Sequence, residues 1–283
     1  AGMMVSAGNY AATVLAEGLN LQAAELLQSE AYNNAAPQNA KQSYKDFVRM
    51  MNYMAQKLEL ENSYFENPHG LDLDDFVGDL HSTASDVIKM TKFIMKNPDF
   101  SEIVKTTNTT LNIDRNVSIV EYKLAITNIL LTNYEGVCGV KTGHTEYAGY
   151  CLDAAADIEG KRLYSIVLGC SSSETRFRDT VNMYNWYYNH VCEVKLCDTK
   201  TKLGNKKVVA YVPHFEYLDK KYAAGIEDDN KTIKVFEYKG EIRQDIQLYD
   251  NAGDIVKNQL VGQINYYQND ELIHTEKLFA LED

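Results

Sequence analysis

Residues 136–152, GVCGVKTGHTEYAGYCL, place a lysine near the end of one short apolar run and just before another, at 148–156. Runs of this length, separated by glycine and polar residues, are typical of neighbouring β-strands. A lysine at a strand edge can offer a cation to a carboxylate, while the next threonine and glycine can receive an extended peptide. The triplet Lys141-Thr142-Gly143 also occurs by chance in many proteins, so its context decides its meaning.

Helical patterns precede this stretch, and strand patterns surround it. Apolar residues recur at helical spacing over residues 1–19, 21–32, 43–60 and 82–97, and Thr83 is a good helix cap. From residue 106 short apolar runs replace them, with a hairpin connection at 157–160, before a last helical pattern over 172–191. Helices flanking an antiparallel sheet predict an α/β (α+β) domain over residues 1–192.

The remaining residues, 193–283, carry no long helical pattern. Short runs rich in Val, Ile, Tyr and Phe alternate with turn residues, among them 251–253 and Asn269-Asp270. They predict a second, small all-β domain. We interpret most of the 20 tyrosines as packing residues, and we predict His190, His214 and His274, without partners nearby in sequence, at the surface.

Composition excludes several kinds of partner. With 40 acidic and 28 basic residues the formal charge is −12, so nucleic acid is an unsuitable partner. No run approaches the roughly 20 apolar residues of a membrane span, and the first residues lack a signal-peptide pattern. The five cysteines are an odd number without zinc-ligand spacing, so we predict no metal site.

Several segments, in order along the chain, resemble one family. They are SAGNYAATVLAE (6–17), NPHGLD (67–72), HSTASDVIKM (81–90), TNILLTNYEG (127–136), GVKTGHTEYAGYCL (139–152) and the closing residues 254–280. Together they resemble the serine-type D-alanyl-D-alanine carboxypeptidases, the low-molecular-weight penicillin-binding proteins of peptidase family S11. Lys-Thr-Gly is one of the signature motifs of such penicillin-interacting enzymes. His69 and His81 fall in these segments, and we interpret them as loop and cap residues that satisfy backbone groups.

The resemblance implies a β-lactamase/transpeptidase-like fold and a two-step acyl transfer that needs no metal or other cofactor. A serine attacks the penultimate D-alanine carbonyl of a peptidoglycan stem peptide, and β-lactam antibiotics act as inhibitors. The catalytic roles fall to Ser6, Asn9 and Lys141. Substrate binding falls to Thr142, Gly143, His144, Thr145 and Arg176.

Two departures from the family pattern concern the serines. The family nucleophile stands in Ser-x-x-Lys, but in this sequence only Thr199 and Lys202 have that spacing, in a polar linker where we interpret the match as coincidence. We expect the motif, and any signal peptide or membrane-attaching segment, to lie outside this chain. Ala7 stands at the serine of the family Ser-Gly-Asn, and neighbouring helical residues point about 100° apart. Ser6 can therefore replace that serine only if the backbone bulges.

The alternative is a non-catalytic protein that binds peptidoglycan peptides on the same fold. The absent Ser-x-x-Lys and Ala7 favour this alternative, whereas the intact Lys141–Thr145 run favours an enzyme. Because peptidoglycan lies outside the cytoplasmic membrane, both possibilities predict an exported, extracytoplasmic protein.

Overall fold

The computed structural model describes residues 1–18, 39–72, 79–114, 119–158, 160–214, 220–250 and 253–283. They form two compact units, Ala1–Tyr184 (unit 1) and Asn185–Asp283 (unit 2). The helix Ser173–Asn189 runs across this division, so a domain boundary after residue 192 stays a prediction. Within the described ranges, no helix is long and apolar enough to cross a membrane.

Unit 1 combines helices with antiparallel strands. Its helices are α1 (Gly2–Val5), α2 (Asn9–Gly18), α3 (Gln42–Lys57), α4 (Ala84–Ile94), α5 (Pro98–Lys105), α6 (Leu130–Asn133) and α7 (Ser173–Asn189), the last ending in unit 2. Strands β1 (Thr109–Asp114) and β2 (Ile119–Leu124) pair, and β3 (Val137–Thr145), β4 (Gly149–Ile158) and β5 (Lys161–Cys170) form a sheet in that order. The predicted helices at 43–60 and 82–97 are confirmed, whereas the pattern at 21–32 lies outside the described residues.

Strand β4 lies in the middle of its sheet and is deeply buried. Leu152, Ala154, Ala155 and Ala156 are fully buried, and small side chains here let neighbouring elements pack closely. A buried cluster joins this sheet to α5 and comprises Met95, Val104, Cys138, Val140 and Ala155. Strand β3, which carries Lys141, is thus fixed by packing while it stays at the edge of the sheet.

The helical pattern over residues 1–19 forms two helices rather than one. Between α1 and α2 the backbone of Ala7 has φ 52°, a left-handed conformation that alanine rarely adopts. The amide N–H of Gly8 donates to the carbonyl of Gly2 at 3.1 Å, which fixes the break. As a result, α1 and α2 are separate helices joined through residues 6–8.

Thr83 caps α4, as the sequence predicts. Its side chain accepts a hydrogen bond from the amide N–H of Asp86 at 3.2 Å. We expect Thr83→Ala to lower the free energy of unfolding by about 1 kcal/mol, because the first turn loses this acceptor. Hydrogen exchange of the α4 amides should register the loss, and Thr83→Ser, which keeps the oxygen, should restore protection; equal exchange in all three proteins would contradict the prediction.

Unit 2 is built almost entirely of β-strands. They are β6 (Val191–Lys195), β7 (Lys202–Leu203), β8 (Lys206–Lys207), β9 (Ala210–Pro213), β10 (Lys221–Gly225), β11 (Thr232–Phe236), β12 (Ile242–Leu248), β13 (Leu260–Gln268) and β14 (Glu271–Ala280), with a short 3-10 helix at Glu237–Lys239. The main sheet has the order β12-β13-β14-β10-β9, while β6 pairs with β11 and β7 with β8. The predicted turn at Asn269-Asp270 is confirmed, since both residues have positive φ between β13 and β14.

The core of unit 2 confirms the predicted packing role of two tyrosines and corrects the predicted surface position of one histidine. Tyr222 and Tyr266 are almost fully buried, and the Tyr266 hydroxyl donates to the carbonyl of Leu196 at 2.8 Å. The surface prediction for His214 is wrong: it is buried, with Nε2 3.2 Å from Asp254 Oδ1. His190 and His274 are partly exposed. All five cysteines are free thiols, and two of them, Cys138 and Cys197, are buried.

Candidate active site

A cleft of about 580 Å³ opens in unit 1 beside strand β3. One wall is the Lys141–Thr145 segment of β3, and the opposite walls come from the first two helices, the 65–72 loop and residues 80–82. Six of the eight predicted site residues line it: Asn9, Lys141, Thr142, Gly143, His144 and Thr145. Residues that are far apart in sequence therefore meet in one concave site, as binding sites commonly require.

Lys141 supplies a positive charge on the cleft wall. Its ammonium donates to the backbone carbonyl of Thr142. Burial, and secondarily the positive charge of Arg176, lower the pKa of Lys141 to about 8. The side chain is thus mainly cationic at neutral pH, yet it can release a proton more readily than an exposed lysine.

Thr142 ties the lysine strand to the N-terminal helices. It is 4% exposed, and its hydroxyl donates to Thr127 Oγ1 at 2.7 Å. The amide N–H of Thr127 in turn donates to the carbonyl of Val5 at 3.3 Å. Asn128 adds a further link, because its Nδ2 donates to the carbonyl of Gly139 at 3.1 Å. These bonds link β3 through residues 127–128 to Val5, the last residue of α1.

The three residues after Thr142 differ in their freedom to meet a ligand. A Cβ added at Gly143 would meet no atom within 4 Å, so open space borders the strand there. The His144 ring stacks on Tyr150 with centroids 4.0 Å apart, which fixes the imidazole plane. The Thr145 hydroxyl accepts the amide N–H of Ala148 at 3.0 Å and shapes the turn into β4.

Asn9 and Ser6 occupy different positions relative to the cleft. Asn9 is the first residue of α2 and lines the cleft. The Ser6 hydroxyl donates to the carbonyl of Gly2 at 3.0 Å, and Ser6 is not part of the cleft wall, where Ala7 lies instead. The break at Ala7 therefore does not bring Ser6 to the other predicted residues.

Arg176 is not part of the cleft wall, and its guanidinium bonds to the backbone of β3 and β4 instead. Its Nη1 donates to the carbonyls of Gly143 at 3.0 Å and Cys151 at 3.4 Å, and Nη2 donates to Ser173 Oγ at 3.1 Å. The guanidinium also lies over the Tyr150 ring, 5.4 Å from its centroid. Arg176 thus braces the ends of β3 and β4, and its charge reaches the cleft through the effect on the Lys141 pKa.

The loop at 65–72 adds cleft-lining residues that were not among the predicted site residues, including Asn67 and His69, the latter predicted only to satisfy backbone groups. Asn67 is buried, accepts the amide N–H groups of His69 and Gly70 at 3.2 and 2.5 Å, and donates to the carbonyl of Leu71 at 3.1 Å. His69 lines the cleft, and burial lowers its pKa, which favours a neutral imidazole at pH 7. The sequence does contain an indication that this loop belongs to the site, namely the NPHGLD stretch at 67–72, which is one of the segments that resemble the family.

The described residues contain no cluster of three or more His, Cys, Asp or Glu suited to a metal. Thr199 and Lys202, the one pair with Ser-x-x-Lys spacing, belong to unit 2, where the Thr199 hydroxyl accepts the amide N–H of Thr201 at 3.1 Å. What the cleft offers is therefore a cation, amide and hydroxyl groups, and a strand edge.

A family model described as D-alanyl-D-alanine carboxypeptidase, peptidase S11, matches residues 20–172, more than half of the chain. The chain belongs to this family. It is 28% identical over 253 residues to the D-alanyl-D-alanine carboxypeptidase DacF of Bacillus subtilis, and 30% identical over 247 residues to DacD of Salmonella typhimurium. These matches cover 85% and 83% of the chain but only 59% and 57% of the relatives, so the chain spans less than two thirds of their length.

Solved structures support the same class of fold. The DD-transpeptidase of Streptomyces K15 is 29% identical, with a TM-score of 0.55 over 66% of this chain and 65% of that one. The carboxypeptidase DacD of Francisella tularensis, at 20% identity and a TM-score of 0.56, covers 100% of this chain and 73% of its own, and shows the fold alone. The predicted helix-flanked antiparallel sheet followed by a β domain is thereby confirmed.

Proposed function

We propose that this chain is the larger part of a D-alanyl-D-alanine carboxypeptidase that removes the terminal D-alanine from peptidoglycan stem peptides and is inhibited by β-lactams. The observation that carries the proposal is the Lys141 ammonium on the wall of a cleft, close to a strand edge with open space at Gly143. A substrate of this class ends in a carboxylate and runs as an extended peptide. The cation and the edge match these two features.

The substrate lies along β3 in this proposal. Because β3 is an edge strand of its sheet, its backbone can pair with a peptide by strand addition. The ammonium of Lys141 receives the terminal carboxylate, Thr145 donates a hydroxyl to it, and Asn9 faces the peptide amide from α2. Thr142 and Arg176 act as positioning residues, since the Thr142 hydroxyl bonds Thr127 and the Arg176 guanidinium bonds the carbonyl of Gly143.

The reaction is an acyl transfer in two steps. A serine oxygen, from a Ser-x-x-Lys motif outside this chain, bonds to the penultimate D-alanine carbonyl, the peptide C–N bond breaks, and the leaving amine takes a proton. Water then bonds to the same carbonyl carbon, the serine ester breaks, and the serine regains its proton. Lys141, with a pKa of about 8, keeps its charge through neutral pH and so favours binding of the substrate carboxylate until the terminal D-alanine leaves.

A second candidate is a non-catalytic receptor for stem peptides on the same fold. The position of Ala7 favours it, because a methyl group occupies the cleft wall where the family motif has a serine hydroxyl. This candidate uses the same carboxylate site but forms no acyl-enzyme. The two candidates therefore predict the same binding and different covalent chemistry.

Penicillin labelling separates the two candidates. The complete gene product is incubated with benzylpenicillin and its intact mass is measured, in parallel with D-alanine release from a stem pentapeptide. The carboxypeptidase is expected to gain one penicillin and to release D-alanine. Binding of the pentapeptide without an adduct or release would establish the receptor, and the absence of both binding and labelling would refute both candidates.

The proposed location follows from the substrate. Peptidoglycan lies outside the cytoplasmic membrane, so the protein acts after export, at the cell wall or the outer face of that membrane. Protease accessibility in cells with an intact cytoplasmic membrane tests this location, because an exported protein is degraded and an internal one is protected.

A further inference from the structure

A network of uncharged polar side chains covers one face of unit 2, away from its hydrophobic core. We call it the amide face; it comprises Gln247, Tyr249, Gln263, Asn265 and Thr275. The residues lie on or next to three neighbouring strands, β12, β13 and β14, and strand pairing sets them opposite one another, Gln247 against Gln263 and Asn265 against Thr275. Because side chains alternate along a strand, the core residues Ile264 and Tyr266 lie on the other face.

Hydrogen bonds between side chains order the amide face. Gln263 Nε2 donates to Gln247 Oε1 at 3.0 Å and to Asn265 Oδ1 at 3.4 Å, and the Tyr249 hydroxyl donates to Gln263 Oε1 at 3.0 Å. The Thr275 hydroxyl donates to Asn265 Oδ1 at 2.8 Å. Bonds between two side chains are a minority of protein hydrogen bonds, and a run of them near solvent fixes rotamers in advance of binding.

Gln247, Tyr249 and Thr275 make part of the amide face accessible, whereas Asn265 is buried, and Tyr249 contributes an aromatic ring. Gln247 and Thr275 are exposed, and Tyr249 keeps 42% of its surface open to solvent. A tyrosine ring held by its hydroxyl presents a rigid apolar surface next to the polar groups. Each amide offers both donors and acceptors, so the face can bond groups that also do both.

Charges at the border of the face offset each other. Arg243 lies over the Tyr267 ring at 4.5 Å and 3.7 Å from the Asp270 carboxylate, while Asp245 accepts a hydrogen bond from Gln247 at 3.1 Å. Lys277 lies opposite Gln263 in the strand register. Such a mixed border lacks the concentrated positive charge that a polyanion requires.

We propose that the amide face binds a polymer of N-acetylated amino sugars, namely the glycan strand that carries the stem peptides. Sugar hydroxyl and acetamido groups donate and accept hydrogen bonds as the amides do, and the apolar side of a pyranose ring stacks on tyrosine. A protein partner fits less well, since the centres of protein interfaces are rich in apolar and aromatic groups rather than in glutamine and asparagine. The choice of this glycan rests on the proposed function.

Titration with chitohexaose, a soluble oligomer of N-acetylglucosamine, tests the proposal without any peptide. The 283-residue chain is expected to show NMR shifts in amides of β12–β14 on titration. Cellohexaose, which lacks acetamido groups, is expected to bind more weakly. Unperturbed β12–β14 amides, or equal binding of the two sugars, would overturn the proposal.

Substitutions locate the contact. Gln247→Ala and Tyr249→Ala are expected to raise the Kd for chitohexaose by about fivefold to tenfold, as loss of one or two contacts does. Gln247 is exposed, so its removal leaves the core intact. Tyr211→Ala is the control, because Tyr211 is 54% exposed on β9, at the opposite edge of the same sheet. An equal effect of the control would refute the assignment, and binding of D-alanyl-D-alanine peptides, measured separately, reports on the proposed function alone.

Discussion

Replacing Lys141 with alanine is expected to weaken binding of a peptide ending in D-alanyl-D-alanine by about tenfold to a hundredfold, because a charge-assisted hydrogen bond to the carboxylate is lost. The side chain lines the cleft and is substantially shielded from water, which strengthens its attraction for an anion. Isothermal titration of the 283-residue chain with an acetylated stem peptide measures the change directly. The experiment needs no nucleophile, so it tests the carboxylate site separately from catalysis.

The pH dependence of binding gives the same prediction a second readout. The ammonium is the form that binds a carboxylate, and its pKa is about 8, so affinity should fall as pH rises above 8. The bound carboxylate raises the lysine pKa in the complex, so the fall begins near pH 8 and levels off above that higher pKa. Lys141→Ala should show no such fall over this range.

Two variants control for charge and for folding. Lys123→Ala removes a positive charge from the exposed strand β2 of the same unit and should leave affinity unchanged. Lys141→Arg keeps the charge but has a larger, planar head group, and it should retain more affinity than alanine. Equal affinities of Lys141→Ala and the unmodified chain would show that the carboxylate binds elsewhere.

Periodic patterns predicted most of the described fold, because they report burial directly. The apolar stripes of α3 and α4, and the β4–β5 hairpin, follow from side chains that must face a core. The break between α1 and α2 did not follow, since it depends on a left-handed alanine that no local pattern marks. An alanine in such a conformation is held by its surroundings, in this case the bond between Gly8 and Gly2.

Site residues were predictable where a motif carries them and unpredictable where long-range contacts set their role. Five neighbouring residues, Lys141–Thr145, and Asn9 are found in one cleft, as the motifs indicate. Arg176, by contrast, bonds to carbonyl groups 33 and 25 residues away, contacts that no motif predicts, and its role in substrate binding stays a prediction. The burial of His214 was not predicted for the same reason, since its partner Asp254 lies 40 residues further along the chain.

Strand β4 contains a carboxyl group that neither pattern nor motif indicated. Asp153 lies opposite Lys141 in the sheet register, and its Oδ2 accepts a hydrogen bond from the buried Thr91 hydroxyl at 2.6 Å. Its Oδ1 is buried and finds no hydrogen-bond partner among the described residues. Burial raises the pKa of Asp153 to about 7, although the bond from Thr91 acts in the opposite direction.

Asp153→Asn is therefore expected to stabilise unit 1 at pH 8 by about 2 kcal/mol. A carboxyl whose pKa rises from 3.8 to about 7 on folding costs nothing below pH 3.8, and destabilises the fold progressively as pH rises to 7. The pKa difference corresponds to a cost of the ionised acid of about 4 kcal/mol above pH 7. Asparagine removes this cost, but its amide donor has no partner, which lowers the stability of the variant by about 2 kcal/mol. The advantage of the variant should be lost at about pH 5, and towards pH 4 the variant should be the less stable protein, because the carboxyl is then nearly free of cost while the unpartnered amide donor remains.

Asp157→Asn on the same strand supplies a matched control with the opposite sign. Arg162 lowers the pKa of Asp157 by a side-chain hydrogen bond, so that carboxylate stabilises the fold above its unfolded pKa and loses this effect as the pH falls. Hydrogen exchange of β4 amides is the suitable measurement, since two compact units need not unfold together. If the effect of Asp153→Asn does not change between pH 4 and 8, then the Asp153 carboxyl is not held in the buried environment that the structure shows.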